Sequence, residues 1–189
     1  MIRSGLIFAG FNNWIKGNAL PTEIGDGLLT ANDVLSLDLA KQSLLVLSAC
    51  QTGLGEMQSG EGAKGLRRAF ELAGVTTLIC TLWSISDFGS SLLMKKFYET
   101  LLTMPTKNAA EALSAAKEYI RTLTIDDLYD MGLPEESIIE DDVLRIVGID
   151  YRTLRSPHYD ASVQGNNVFA HPFYWDGFIV QGNCRIIEQ

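Results

Sequence analysis

The chain has 189 residues, 47% hydrophobic and 20% charged, with a formal net charge of −8. That length supports one domain with a substantial core, and that charge argues against nucleic-acid binding, which needs a basic surface. The three cysteines are odd in number and widely spaced, so they do not read as a disulfide framework and fit a reducing, cytoplasmic setting.

Residues 4 to 11 (SGLIFAGF) predict a short strand or strand end. The apolar run Leu6 to Phe11 is too short for the core of a signal peptide or for a membrane span. Asn12 to Gly27 is turn-rich, with Gly17, Pro21, Gly25 and Gly27. Thr30 is placed to cap a short helix from Ala31 to Leu37. Next, Leu44 to Leu47 is an apolar run that ends in Ser48-Ala49-Cys50, followed by a loop with Gly53 and Gly55. This predicts a buried strand that delivers Cys50 to its C-terminal end, where α/β folds place their chemistry.

Gly62 to Ala73 carries Leu66, Ala69, Phe70 and Ala73 at helical spacing, and Gly74 stands ready as a C-terminal cap. Val75 to Trp83 (VTTLICTLW) reads as a second buried strand. Strand, helix and strand make a βαβ unit, which favours parallel pairing. Ser90 to Thr103 is a further helix with Leu93, Phe97 and Leu101 on one face. Asn108 and Glu111 open another, running to Leu123, in capping-box spacing.

Between Thr124 and Val147, eight acids face one base, Arg145, so this stretch holds −7 of the net charge. It reads as a solvated surface insertion over about 124–168, with a short helix expected at Asp141 to Val147. A docking surface for a cationic partner is the alternative. Trp175 to Gln181 (WDGFIVQ) is the final predicted strand.

Position alone leaves two readings for Cys50, a nucleophile or a small buried hydrophobe. Cys80, inside a predicted strand, and Cys184 read as structural or incidental. His171 precedes the last strand and reads as a packing or capping residue, and His158 reads as a surface-loop residue. Asp87 follows a strand and precedes a helix, so it could serve as an N-cap. Gly60-Glu61-Gly62-Ala63-Lys64-Gly65 fits the G-x-G-x-x-G pattern. It begins ten residues after Cys50, however, whereas a dinucleotide site needs a direct strand-to-helix turn. A loop beside the candidate nucleophile is the better reading.

Taken together, several motifs resemble the CHAT family, caspase-like cysteine peptidase domains usually attached to TPR repeats. They are Arg3-Ser4-Gly5-Leu6, Gly25-Asp26-Gly27-Leu28-Leu29-Thr30, LSACQTGLGE from Leu47 to Glu56, and Gly60-Glu61-Gly62. Leu82-Trp83 with Asp87 and His171-Pro172-Phe173-Tyr174-Trp175 complete the set. The resemblance implies the caspase-haemoglobinase α/β sandwich, a mostly parallel sheet flanked by helices. It also implies a Cys-His dyad acting on a protein or peptide substrate, with Cys50 as nucleophile and no cofactor or metal. The Leu82-Trp83-x-x-x-Asp87 pattern is similar to one in separases, and implies that Asp87 binds a basic residue before the scissile bond.

One departure matters. In the family the dyad histidine, followed by glycine, ends the strand that precedes the Arg3-Ser4-Gly5-Leu6 segment. Neither of the two histidines here occupies that position. The expectation is therefore the nucleophile-bearing part of a CHAT-type peptidase, a single partial domain over 1–189 with its N-terminal strands missing, and inactive alone. Its partners would be a TPR or other N-terminal portion of the same or another polypeptide, or a second copy joined through an open sheet edge. No nucleic acid or membrane is expected. A non-catalytic protein-interaction module is the alternative function.

Overall fold

A computed structural model describes residues 5–17, 26–41, 43–47, 62–83, 85–132 and 167–186. The described elements run β1 (Gly5–Ile7), α1 (Phe11–Ile15), β2 (Leu28–Thr30), α2 (Ala31–Leu35), β3 (Leu45–Leu47) and α3 (Gly62–Leu72). They continue with β4 (Thr77–Thr81), α4 (Asp87–Thr103), α5 (Ala109–Thr122), α6 (Ile125–Asp130), a 3-10 turn (Pro172–Tyr174) and β5 (Phe178–Gly182). The class is α/β, as the alternation of patterns predicts.

The central sheet has the order β3-β4-β5. β3 pairs with β4 in parallel, with Leu47 opposite Cys80, so the βαβ expectation holds. β5 runs antiparallel to β4, with Thr77 opposite Gly182 and Thr81 opposite Phe178. The sheet is therefore mixed over its described strands and not mostly parallel. The reason is local. The chain enters β5 from a turn at the C-terminal end of β4, where the Leu82 N–H donates to the Gly177 carbonyl at 2.9 Å. A strand started there must run back the way β4 came.

Alternation along β4 divides the core. Leu78 and Cys80 join Leu47, Val34, Leu66, Ala69 and Phe70 in one cluster, which brings in α2 and α3. Ile79 joins Phe178, Leu93, Phe97, Leu113 and Ile120 in the other, which brings in α4 and α5. Helices thus cover both faces of the strand. Leu66, Ala69 and Phe70 of α3 and Ala73 just after it are all buried, as are Leu93, Phe97 and Leu101 of α4. Gly74 ends α3 with φ +108° and takes up the predicted capping position.

Some elements depart from their expected bounds. β4 is shorter than Val75 to Trp83, and α4 begins at Asp87 rather than Ser90. The turn-rich stretch before Gly27 contains α1, and β1 pairs antiparallel with β2, a strand too short to show a pattern in the sequence. Asn108 caps α5 by accepting from the Ala110 and Glu111 N–H groups at 2.9 and 3.3 Å. Glu111 answers to the side-chain amide of Asn108 at 3.2 Å, so the expected box closes through side chains.

Thr30 does cap α2. Its hydroxyl accepts from the Asp33 N–H at 3.3 Å, and Asp33 Oδ2 accepts from the Thr30 N–H at 2.8 Å and its hydroxyl at 2.6 Å. Thr124 and Asp127 repeat this arrangement at the start of α6. The hydroxyl bond, then the backbone bond, hold both carboxyls below the usual carboxylate range. A lowered folded value gives stability that is present above the ordinary carboxylate range and is lost as pH falls through the folded value. Thr30→Ala should lower the thermal midpoint by a few degrees at neutral pH, with the gap to wild type narrowing in acid. A gap that widened on acidification would count against this account.

The acidic segment is rooted in the core at both ends. Leu128 and Val168 are fully buried. Thr124 and Asn167 form an antiparallel bridge, and the Val168 N–H donates to the Leu123 carbonyl at 3.0 Å. The chain therefore returns at 167 to the point it left at 124. The helix expected at Asp141 to Val147 lies outside the described residues. Replacing residues 133–166 by a short Gly-Ser linker should leave a cooperatively folding protein, because Asn167 already pairs with Thr124, one short helix before the cut. Loss of the cooperative thermal transition would show that the excised residues belong to the core.

Candidate functional site

Parallel pairing puts the C-terminal ends of β3 and β4 at the same edge of the sheet, the edge α/β folds use for ligands. Cys50 follows the last residue of β3 by three positions and lies outside the described residues. His158 and most of the Gly53 to Gly65 loop lie outside them as well. The structure therefore brings together the strand ends that lead to Cys50 and Asp87, and describes the surroundings of Asp87 alone.

Asp87 is not the N-cap of α4. Ser86 holds that position, its hydroxyl accepting from the Gly89 N–H at 3.0 Å. The physical reason is register: the capping oxygen must come from the residue before the first helical one, and Asp87 is already helical. Its carboxylate is exposed at the first position, where the helix dipole favours negative charge. Among the described residues, no hydrogen bond or ion pair engages it.

The connection from β4 to α4 is held by the segment 167–177. The Trp83 indole N–H donates to the Phe173 carbonyl at 2.9 Å, and the two rings stack at 6.1 Å. Phe169 packs on Phe88 at 6.0 Å and edge-on to Tyr174 at 5.1 Å, close under the first turn of α4. The signal for this clasp was present in the sequence as two aromatic motifs far apart, Leu82-Trp83 and His171 to Trp175.

His171 takes the capping role expected of it. Its Nδ1 accepts from the Phe173 N–H at 3.2 Å at the head of the 3-10 turn. In the neutral ring this leaves the proton on Nε2. Cys80 is fully buried, which matches a structural cysteine, and burial pushes its thiol up while the Arg67 charge and hydrogen bond work against that shift. Cys184 is partly exposed and sits in the left-handed region at φ +60°. Among the described residues no cluster of His, Cys, Asp and Glu could hold a metal ion, and no helix is long and apolar enough to cross a membrane.

No curated protein and no solved structure matches the chain. The family model for the CHAT domain matches residues 2–183.

Proposed function

The chain belongs to the CHAT domain family of caspase-like, peptidase-related modules, and on that premise we propose that it carries the nucleophile of a cysteine endopeptidase at Cys50. The observation that carries this reading is the parallel pairing of β3 and β4, whose shared edge leads into both Cys50 and Asp87. The remainder of the fold, in this proposal, is the caspase-haemoglobinase sandwich, with 1–189 as one domain and 124–168 as its acidic insertion.

The chemistry follows from the residue types. The Cys50 thiolate adds to a peptide carbonyl, and the C–N bond breaks to leave a thioester. An imidazole protonates the departing amine and then takes a proton from the water that hydrolyses the thioester. Neither histidine of this chain matches the dyad position, and His171 is engaged as a cap. The proposal therefore assigns the imidazole to another segment or polypeptide, such as a TPR-bearing portion, and the 189 residues alone do not turn over substrate. The exposed carboxylate of Asp87 selects a basic side chain before the scissile bond through charge-assisted hydrogen bonds.

The test uses the chain as it is. Alkylation of Cys50 against pH, with Cys50→Ala as control, should give a thiol near its ordinary value of about 8.5. A strongly lowered value, reversed by His158→Ala or His171→Ala, would mean that the chain builds its own dyad. A peptide aldehyde ending in arginine should protect Cys50 from alkylation far better than one ending in glutamate, and Asp87→Asn should erase the difference. Equal protection by both peptides would sink the assignment of Asp87.

A further inference from the structure

Asp87 sits in a connection pinned on both sides. On one side, Trp83 is fixed by its hydrogen bond to the Phe173 carbonyl and its stack on the Phe173 ring. Gly177 closes against the same indole. A Cβ added at Gly177 would lie 2.8 Å from Trp83 Cε2, 3.0 Å from its Nε1 and 2.8 Å from Ile85 Cδ1. The Leu82 N–H is tied to Gly177 as well. On the other side, Phe88 and Gly89 rest on Phe169 and Tyr174. Between these anchors Asp87 is exposed, and among the described residues nothing binds its carboxylate.

A carboxylate that discriminates a charged side chain must be held still, because a mobile one gives back in ordering entropy what it gains in contact. Among the described residues, no hydrogen bond or ion pair holds the Asp87 carboxylate directly. Its orientation is therefore inherited from the backbone of residues 85–89, which the clasp holds through Phe88 and Gly89 and flanks through Leu82 and Trp83. We propose that Trp83 is a positioning residue for Asp87, setting the selectivity of the site for a charged over an isosteric neutral side chain through its bond to the Phe173 carbonyl. This rests on the reading of Asp87 as the substrate-binding carboxylate.

The experiment compares two peptide aldehydes, one ending in arginine and one in citrulline, which has the same shape without the charge. Their protection of Cys50 from alkylation is measured on the full chain and on three variants: Asp87→Asn, Trp83→Phe, which keeps a ring but removes the N–H donor, and Gly177→Ala, which displaces the indole. Wild type should favour arginine, and Asp87→Asn should remove the preference. Trp83→Phe should cut the arginine-to-citrulline ratio by about tenfold in a protein that still unfolds cooperatively. Gly177→Ala should do the same, and serves if Trp83→Phe does not fold. A ratio unchanged in both folded variants, or protection by both peptides weakened equally, would overturn the positioning role while the assignment of Asp87 stood. A wild-type chain with no preference would overturn that assignment and the inference with it.

Discussion

Phe97→Ala should destabilise the fold by about 4 kcal/mol, the scale set by emptying a fully enclosed aromatic site. Phe97 lies near the middle of α4 and is 0% exposed, whereas Leu102, five residues on along the same helix, is 69% exposed. Phe97 belongs to the cluster that joins α4 and α5 to Ile79 of the central strand and to Phe178 of β5. Its removal therefore leaves a void between a helix pair and the sheet, where no single element can move inward without breaking another contact. Leu102→Ala, by contrast, should shift stability by no more than about 0.5 kcal/mol. Urea titrations of both variants check this, with the m-value held as the sign that the same unfolding is observed. Similar losses for the two would mean that this face of α4 is not the one packed on the sheet.

Gly182→Val should cost on the order of 3 kcal/mol or more, from two sources that act together. Gly182 ends β5 with φ +99°, a conformation that side chains rarely adopt. A Cβ there would lie 2.0 Å from the Thr76 carbonyl oxygen, which accepts the Asn183 N–H at 2.9 Å. Relief of the clash must open the end of the β4–β5 ladder. Gly132 provides the control, since it has φ +70° but, among the described residues, nothing within 4 Å of the added atom. Gly132→Ala should cost only the backbone penalty, about 1 kcal/mol. If thermal denaturation ranks Gly132→Ala above Gly182→Val, the close approach of β5 to Thr76 is not what constrains that position.

The parts of the fold written in periodic residues were legible. α3, α4 and α5 follow from apolar spacing, and the capping roles of Thr30, Gly74 and Asn108 follow from local backbone chemistry. The direction of β5 was not legible, because it depends on where residues 167–177 return, a tertiary fact with no local signature. α6 was hidden by its charge. Asp126, Asp127 and Asp130 read as a solvated run, while Leu128, the residue that docks it, is one apolar position among them. At the candidate site, the N-cap reading of Asp87 is off by one residue, because Ser86 supplies the capping hydroxyl. Short polar residues in the turn between a strand and a helix cannot be ranked as cap or ligand from sequence, since both tasks choose the same side chains.

The antiparallel partner of β4 also governs when the protein can become whole. β4 and β5 are separated by about a hundred residues of chain, yet they are neighbours in the sheet. Pairing across such a distance is paid for late, because the loop must close before the contact stabilises anything. During synthesis, β4, α4 and α5 emerge well before Phe178. For that interval the outer edge of β4 and the apolar surface awaiting Phe178 stand open to any other nascent chain. The interval ends only when translation passes Gly182, so a ribosome stalled between residues 130 and 178 would hold an aggregation-prone intermediate rather than a smaller folded domain.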